Sequence, residues 1–335
     1  MAESASILVI GPRWVGDMVM AQSLFIALKQ LHANASIDVM APSWAAPLLD
    51  RMPEVRARID APFSRKKLEL GLRWKLGRAL AGNYTHAIVM QGSWKSALVP
   101  FFAGIKRRTG YRREMRYGLL NDILTLPKEL KRKTVQAFFG LARGGTFQPP
   151  RLTVDRGNQR ALCARFGLSE GNFVALMPGA EFGPAKRWPS EKYAEFARRT
   201  LSNGLQVVLF GSANDKAVTS EIAALAAGAI DLAGATRLED AIDLIAAARF
   251  AVSNDSGLMH IAAAVGTPVV AVYGSTSPEN TPPLASRREL VWLGLDCSPC
   301  HQRTCPLGHL NCLNTLDVDL VTAASARFLG DKAVA

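Results

Sequence analysis

Short apolar runs recur along the chain, each followed by a longer stretch whose apolar residues have helical spacing. The predicted strands are residues 7–10, 36–40, 87–90, 173–177, 206–210, 250–253 and 268–273. The predicted helices include residues 18–32, 190–201, 216–227, 238–247 and 258–265. Continuous Val, Ile and Leu strands that alternate with helices are typical of parallel sheets covered on both faces. The pattern therefore predicts an α/β protein.

The stretch 144–151 separates the two halves of this pattern, because it has Gly-Gly and Pro-Pro pairs and no apolar period. A length of 335 residues is ample for two domains. We expect two doubly wound, Rossmann-like domains at residues 1–150 and 151–317, with a cleft between them. The last helical piece, about residues 318–335, is expected to pack back on the first domain.

Composition excludes several classes of protein. With 49% apolar and 20% charged residues, the chain is not wholly disordered, and 27 glycines and 18 prolines exclude a collagen-like repeat. The first residues lack the basic segment of a signal peptide, and Gly, His and Pro interrupt the longest uncharged stretch, residues 256–278. We therefore expect a cytoplasmic protein without a membrane span.

The charge is unevenly distributed. The net charge is +12, but residues 1–150 hold 23 basic and 10 acidic residues, whereas the remainder holds 17 and 18. General solubility does not require such asymmetry, although a merely solvated basic surface stays possible. We interpret the first half as facing an anionic partner.

The first candidate site is the segment 11–17, GPRWVGD, between a predicted strand and a predicted helix. Ligands bind at the carboxyl ends of parallel strands, where such loops lie. Gly16 lets a substrate approach the backbone closely. Asp17 is either the cap of the helix or a carboxylate that takes a proton from a hydroxyl group.

Two further loops follow predicted strands in the second half. Residues 254–260, NDSGLMH, place Asp255, Ser256 and Gly257 at a helix start, where free N–H groups bind a pyrophosphate; simple helix capping is the alternative. His260 lies one turn further on. Residues 178–189 end in Lys-Arg-Trp-Pro, which predicts two cations over the cleft or a solvated pair.

Together these segments resemble the ADP-heptose:lipopolysaccharide heptosyltransferases of glycosyltransferase family 9, in particular their type II members. The matching segments are residues 11–17, 22–24, 90–96, 177–189, 210–215, 232–234, 253–263 and 272–274. The resemblance extends from about residue 6 to about residue 330. It implies a GT-B fold and inverting transfer of L-glycero-D-manno-heptose from ADP-heptose to the first inner-core heptose of lipopolysaccharide.

The resemblance also implies roles for particular residues. Asp17 would be the general base on the acceptor hydroxyl. The implied donor-binding residues are Lys186, Glu181, Ser212, Asp255, Ser256, Gly257 and His260. The implied acceptor-binding residues are Gly16, Lys95, Arg107, Arg108, Arg112 and Arg113. Cations and helix amides replace a metal in such a site, so no cofactor is expected for catalysis.

Four cysteines near the end form a cluster that the resemblance does not explain. Cys297, Cys300, Cys305 and Cys312 lie within sixteen residues and enclose two histidines. Their spacing predicts a structural zinc site, with disulfides or four unlinked thiols as alternatives. Cys163 lies in a helical apolar pattern and is expected in the core.

The basic first half is consistent with a lipid-embedded anionic acceptor and hence with peripheral association with the cytoplasmic face of the inner membrane. Basic clusters include Arg65, Lys66 and Lys67, and we expect the apolar stretch 98–105 to touch lipid. A nucleic-acid-binding protein is an alternative, but segments 106–116 and 128–133 contain no recognisable nucleic-acid-binding motif, so no nucleic acid is expected. Family members with another acceptor, heptosyltransferases I and III, remain a further alternative.

Overall fold

The computed structural model describes residues 5–64 and 67–329. The chain divides into two compact units, Met1–Pro150 and Arg151–Ala335. The division falls within the Gly- and Pro-rich stretch 144–151. Each unit is built around its own parallel sheet.

The first unit contains six strands and five α-helices within the described residues. The strands are β1 (Ser6–Ile10), β2 (Ser36–Ala41), β3 (Ala57–Asp60), β4 (His86–Val89), β5 (Arg107–Tyr111) and β6 (Asp122–Leu124). The helices are α1 (Val15–Leu31), α2 (Ala46–Leu49), α3 (Leu70–Ala79), α4 (Leu98–Phe102) and α5 (Thr134–Gly140). Short 3₁₀ turns include Trp94–Ala97.

The first sheet has the strand order β3-β2-β1-β4-β5-β6, with every pair parallel. β1 is central and its residues Leu8 and Val9 are fully buried, as expected for a strand covered on both faces. α3 and α4 pack closely at Gly77, where a Cβ would lie 2.6 Å from the Cβ of Phe102. This order is that of a doubly wound fold, which changes direction between β1 and β4.

The second unit also has six strands among the residues that the structure describes. These are β7 (Phe173–Met177), β8 (Gln206–Leu209), β9 (Ile230–Asp231), β10 (Phe250–Asn254), β11 (Val269–Val272) and β12 (Arg288–Val291). Its helices are α6 (Arg156–Phe166), α7 (Ser190–Ser202), α8 (Lys216–Leu225), α9 (Leu238–Ala247), α10 (Gly257–Ala264), α11 (Asn311–Asn314) and α12 (Val318–Leu329).

The second sheet repeats the topology of the first, in the order β12-β11-β10-β7-β8-β9 and with parallel pairs throughout. Its direction changes between β7 and β10. The core on one face includes Trp188 and Tyr193, whose rings meet edge to face with centroids 5.0 Å apart. The expectation of two doubly wound α/β domains is therefore confirmed.

The last helix is part of the core of the second unit. α12 packs on α7, β11 and β12 of that unit, and its packing on the first unit stays a prediction. The buried side chain of Phe328 lies 6.0 Å from the ring of Phe250, which anchors the helix in the core of that unit. The expected helix extended to residue 335, but residues 330–335 lie outside the described residues.

Candidate active site

In each sheet, the point where the strand order reverses is bridged by a side-chain amide. In the first unit, Gln91 follows β4, and its Nε2 donates to the carbonyl oxygen of Gly11, which follows β1, at 2.6 Å. In the second, Asn254 ends β10, and its Nδ2 donates to the carbonyl oxygen of Pro178, which follows β7, also at 2.6 Å. Ligands of doubly wound sheets bind at the carboxyl edge at this point. Each unit therefore has one equivalent candidate site.

Asp17 lies at the carboxyl edge of the first sheet. Helix α1 begins at Val15 and its N-cap is Trp14, so Asp17 lies in the first turn and is not the cap. A carboxylate in the first turn interacts favourably with the helix dipole. Asp17 and the preceding Gly16 are both partly exposed. Asp17 is therefore not the N-cap residue of α1, and the capping interpretation is wrong.

The loop that carries Lys95 follows β4 at the same edge. The guanidinium of Arg73, in α3, donates to the carbonyl oxygen of Lys95 at 3.0 Å and to that of Leu68 at 2.7 Å. It also lies 4.0 Å from the ring centroid of Phe63, whose carbonyl oxygen accepts a hydrogen bond from Arg13 at 2.9 Å. The segments around Arg13, Phe63 and Lys95 are therefore joined at this edge.

The arginines expected to bind the acceptor do not form one cluster. Arg107 and Arg108 lie at the start of β5, whereas Arg112 and Arg113 follow its end, so the two pairs occupy opposite edges of the sheet. Arg107 pairs with Asp122 at 2.9 Å. Arg108 donates to the carbonyl oxygens of residues 105, 118 and 119 and therefore braces a loop. Only Arg112 and Arg113 lie at the edge that carries Asp17.

Arg116 is a further brace that the sequence did not distinguish from its basic neighbours. It is buried, and it donates to the carbonyl oxygens of Gln91 and Tyr111, each at 2.6 Å. Burial lowers the pKa of Arg116 to about 10, and the positive charge of Arg113 adds to this effect, although Glu114 opposes it. Arg116 therefore holds the loops after β4 and β5 together.

The second unit has a buried ion pair at its equivalent edge. Lys186, in the loop after β7, places its Nζ 2.6 Å from Oδ2 of Asp255, which follows β10. The side chains are 14% and 5% exposed, respectively. Thr276 also donates to Oδ2 of Asp255 at 2.7 Å, and the Thr281 hydroxyl lies 3.4 Å from both carboxylate oxygens. Asp255 is therefore the anchor that fixes the ammonium group of Lys186.

The two threonines were missed by the sequence analysis. They follow β11, the strand next to β10, so their position at a carboxyl edge was the available signal. An ammonium group has three N–H donors. The acceptors that contact Nζ of Lys186 are Oδ2 of Asp255 and, at 3.3 Å, its carbonyl oxygen, which together account for two donors.

The start of α10 lies beside this pair. Ser256 is the N-cap residue of α10, yet its hydroxyl makes no capping bond and lies 3.3 Å from that of Ser253, while Gly257 begins the helix. The capping interpretation of Asp255 and Ser256 is therefore wrong for both side chains. His260 is buried, and burial lowers its pKa to about 4, an effect that Asp255 opposes and Lys186 reinforces. His260 is neutral at physiological pH.

The other two expected donor residues are more peripheral. Glu181 is exposed in the loop after β7. Ser212 is exposed after β8, and its hydroxyl donates to Oδ2 of Asp215 at 2.8 Å in a local turn. Neither residue contacts the Lys186–Asp255 pair through a described hydrogen bond.

The segment 297–312, which carries the cysteine cluster and which we call the cysteine segment, packs on the loop that carries Lys186. The carbonyl oxygen of Arg303 accepts the N–H of Ala185 at 3.1 Å, and a Cβ on Gly183 would lie 2.5 Å from the same oxygen. The Arg303 guanidinium and the Nζ of Lys186 lie 5.2 and 5.0 Å from the ring centroid of Phe182. The segment therefore supports this site, which its spacing alone did not indicate.

The cysteines themselves are free thiols, and Cys163 is buried as expected. Over residues 5–64 and 67–329, no three His, Cys, Asp or Glu side chains are arranged to hold a metal ion. Hydrogen bonds from backbone N–H groups, chiefly that of Leu310, lower the pKa of Cys305. Burial raises the pKa of Cys312, and the other three thiols of the cluster raise it further. The four cysteines of the cluster form no disulfide in the structure, and the structural zinc site stays a prediction.

Two expectations about a lipid surface can be compared with the structure. Leu98, Val99, Pro100, Ala103 and Ile105 are buried, so the stretch 98–105 as a whole cannot touch lipid, although Phe101 is exposed. The basic residues Arg65 and Lys66 lie outside the described residues. Within the part of the chain that the structure describes, no helix is long and apolar enough to cross a membrane.

Comparison with known proteins identifies the family to which the chain belongs. Residues 73–311 match the family model described as glycosyltransferase family 9 (heptosyltransferase). The chain is 49% identical over 305 residues to the lipopolysaccharide heptosyltransferase 2 of Escherichia coli K12, covering 86% of this chain and 88% of that protein. It is 45% identical to the lipooligosaccharide heptosyltransferase 2 of Haemophilus influenzae, with the same coverage.

Other comparisons define how far this likeness goes. The solved structure of E. coli ADP-heptose lps heptosyltransferase II matches with a TM-score of 0.87 and 43% identity, over 97% of this chain and 98% of that chain. The expected GT-B fold class is thereby confirmed. The lipopolysaccharide heptosyltransferase 3 of E. coli K12 is only 28% identical, over 79% of this chain and 81% of that protein.

Proposed function

This chain belongs to the heptosyltransferases of glycosyltransferase family 9, and from that premise we propose that it transfers L-glycero-D-manno-heptose from ADP-heptose to the first inner-core heptose of lipopolysaccharide. The type of acceptor is supported by the E. coli and H. influenzae relatives named heptosyltransferase 2, which are 49% and 45% identical to this chain, against 28% for the E. coli relative named heptosyltransferase 3. At the level of residues, one observation carries the proposal. Asp17 lies at the carboxyl edge of the first sheet, and Lys186 lies at the equivalent edge of the second sheet, which has the same topology.

Asp17 acts as the general base in this proposal. Transfer with inversion is a single displacement, in which the acceptor oxygen bonds to the anomeric carbon while the bond from that carbon to the diphosphate oxygen breaks. The hydroxyl proton passes to the carboxylate of Asp17, and ADP leaves with the electron pair of the broken bond. The partial exposure of Asp17 supports the role, because a base has to reach a hydroxyl group of the substrate.

Lys186 stabilises the leaving diphosphate. Its third N–H is directed to a diphosphate oxygen, and backbone N–H groups at Ser256 and Gly257 contribute as at other helix starts. Asp255 then has a positioning role rather than a direct one, because a carboxylate repels a phosphate. Neutral His260 adds no charge to the site. Glu181 and Ser212, which lie in loops at the same edge of the sheet, contact the remainder of the donor.

On the first unit, Gly16, Lys95, Arg112 and Arg113 are the acceptor-binding residues of this proposal. Arg107 and Arg108 are left out because they lie at the other edge of the sheet. The acceptor in this proposal is anionic, and basic side chains bind anionic groups by charge-assisted hydrogen bonds. The acceptor is anchored in lipid, so the protein associates peripherally with the cytoplasmic face of the inner membrane. We expect no metal in catalysis and no nucleic acid as partner.

The test uses purified protein, ADP-heptose and two truncated lipopolysaccharides, one with a single inner-core heptose and one with none. We expect ADP release and a mass increase of one heptose on the first acceptor only. Turnover of the heptose-free acceptor, or of neither, would contradict the proposed acceptor. Protein incubated with ADP-heptose and no acceptor is the control for background hydrolysis of the donor.

A further inference from the structure

Large apolar side chains are exposed in a restricted part of the first unit. Among the described residues, eight of them lie between residues 68 and 117, and the most exposed are Met115 at 89%, Tyr117 at 65% and Trp74 at 55%. Large apolar side chains that cluster at a surface mark an interaction site, whereas scattered ones do not. The question is therefore whether these residues share one surface.

Helix α3 exposes large apolar side chains although Leu76 packs on the core. Arg73 is buried, whereas Leu70 and Trp74 are exposed. These two residues are four apart and lie on one side of the helix. Lys75 and Arg78, also exposed, flank them. Because an amphipathic helix normally buries its apolar side, this arrangement indicates a partner that takes up apolar side chains next to cations.

Two hydrogen bonds and one close contact join the three segments that carry these exposed residues. Arg73 donates to the carbonyl oxygen of Lys95, next to the exposed Trp94. The N–H of Trp94 donates to Oε2 of Glu114 at 2.8 Å, next to Met115. A Cβ on Gly92 would lie 3.6 Å from the methylene groups of Arg113, so the loops after β4 and β5 also touch there.

This surface, which we call the rim, is defined by its apolar and basic side chains. Its apolar members are Leu68, Leu70, Trp74, Trp94, Met115 and Tyr117. Its basic members are Lys75, Arg78, Arg112 and Arg113. The rim borders the segment of Asp17, because Gln91 bonds to Gly11 and Arg13 bonds to Phe63 at the same edge.

We propose that the rim docks the protein on an anionic phospholipid surface, with its Trp, Tyr, Met and Leu side chains in the interface and its cations on the headgroups. Trp and Tyr prefer the membrane–water interface, and Lys and Arg near it bind anionic lipids. The inference rests on the proposed function in one respect, since a docked rim holds Asp17 next to a lipid-anchored acceptor. Charge complementarity and the Trp and Tyr side chains commit the rim to an anionic lipid surface, because the segments that expose these rings also expose Lys75, Arg78, Arg112 and Arg113.

The test measures sedimentation of the full chain with vesicles that contain no lipopolysaccharide, so that it does not depend on heptose transfer. Vesicles of phosphatidylethanolamine and phosphatidylglycerol are compared with vesicles of phosphatidylcholine alone. We expect binding to the anionic vesicles only. If the wild-type protein does not bind the anionic vesicles, the proposal that the rim docks on lipid is wrong, whether or not the protein transfers heptose.

Variants separate the apolar from the basic contribution. Trp74→Ser with Met115→Ser, and separately Lys75→Gln with Arg78→Gln, should each weaken vesicle binding by about tenfold or more. The matched controls are Leu225→Ser with Leu320→Ser, exposed leucines of the second unit, and Lys131→Gln with Arg132→Gln, exposed cations of the first unit. Both controls should bind as the wild type does.

Three results would overturn the assignment. First, rim variants that bind vesicles as well as the controls do would show that another surface docks. Second, a loss of binding in Lys131→Gln with Arg132→Gln as large as in Lys75→Gln with Arg78→Gln would show that binding depends on net charge alone. A change in oligomeric state of the Trp74 and Met115 variant, without a loss of vesicle binding, would identify a second copy of the chain as the partner. Transfer to a detergent-solubilised acceptor should be unchanged in this variant, which separates docking from catalysis.

Discussion

The two candidate sites occupy the same position in two sheets of the same topology, yet they are built differently. Asp255 is 5% exposed and contacts Lys186, Thr276 and Thr281, so the second site is a fixed, buried polar network. Asp17 is partly exposed in the first turn of a helix. A cation that holds a diphosphate benefits from being fixed in advance, whereas a base has to remain accessible to a hydroxyl group.

The basic residues of the first unit teach a related lesson. Arg73 and Arg116 are buried, and Arg108 is half-buried; each donates to backbone carbonyl oxygens and holds loops in place. Arg112 and Arg113 are exposed. The net charge of this unit therefore combines structural braces with exposed cations, and the sequence alone does not separate them.

The largest expected effect is on the accessible site. Asp17→Asn preserves size and polarity but removes the proton acceptor, so turnover should fall by about 10²–10⁴-fold. The thermal unfolding temperature should stay close to that of the wild type. A steady-state assay of ADP release measures the first quantity. Wild-type turnover would exclude Asp17 as the base, and an unfolded variant would show that Asp17 is structural.

The buried site should respond to mutation mainly through stability. Asp255→Ala leaves the ammonium group of Lys186 without its carboxylate, and breaking a buried pair in this way costs about 3–5 kcal/mol. Urea unfolding of the second unit measures the loss. Glu170→Ala is the control, since its pair with Arg156 is exposed and should contribute less than about 1 kcal/mol. Equal losses in the two variants would contradict a preorganised site.

The buried histidine predicts a pH dependence of the second unit. The pKa of His260 is about 4 in the folded state and about 6.5 when unfolded, so the unfolded state binds more protons between these values. Its contribution to stability is complete above pH ~6.5 and is lost as the pH falls towards ~4, by up to about 3 kcal/mol. His260→Gln should remove this part of the pH dependence. Parallel stability curves for the two proteins would contradict the buried, neutral histidine.

The smallest predicted effect separates braces from exposed cations. Arg116→Met leaves the carbonyl oxygens of Gln91 and Tyr111 without their donor and should cost about 1–3 kcal/mol. Arg113→Met, on the same loop but exposed, should change the free energy of unfolding by less than about 0.5 kcal/mol. Chemical unfolding of the first unit tests both. A loss at Arg113 as large as at Arg116 would remove the distinction.

Local pattern predicted the strongest elements well. Phe173–Met177 and Leu238–Ala247 have the predicted bounds, because a continuous apolar strand and a strongly periodic helix are decided by nearby residues. β5 was missed, since Arg107–Tyr111 begins with two arginines and resembles a charged loop. α1 begins three residues before its predicted start.

The candidate sites were predictable in their loops but not in their partners. Strand ends and the family resemblance were enough to single out Asp17, Lys186 and Asp255. The hydrogen bonds of Thr276 and Thr281 to Asp255 depend on which strands become neighbours, and no local signal records that. The same holds for the cysteine segment, whose role in supporting residues 183–185 depends on tertiary packing.

The central claim is that the two sites divide the labour, with the base in the first unit and the diphosphate-binding cation in the second. Calorimetric titration of ADP into the wild type, Lys186→Ala and Asp17→Asn tests it most directly. The account predicts that Lys186→Ala weakens ADP binding by about tenfold or more, because a charge-assisted hydrogen bond is lost. It predicts that Asp17→Asn binds ADP as the wild type does. Unchanged affinity in Lys186→Ala, or an equal loss in Asp17→Asn, would contradict the division.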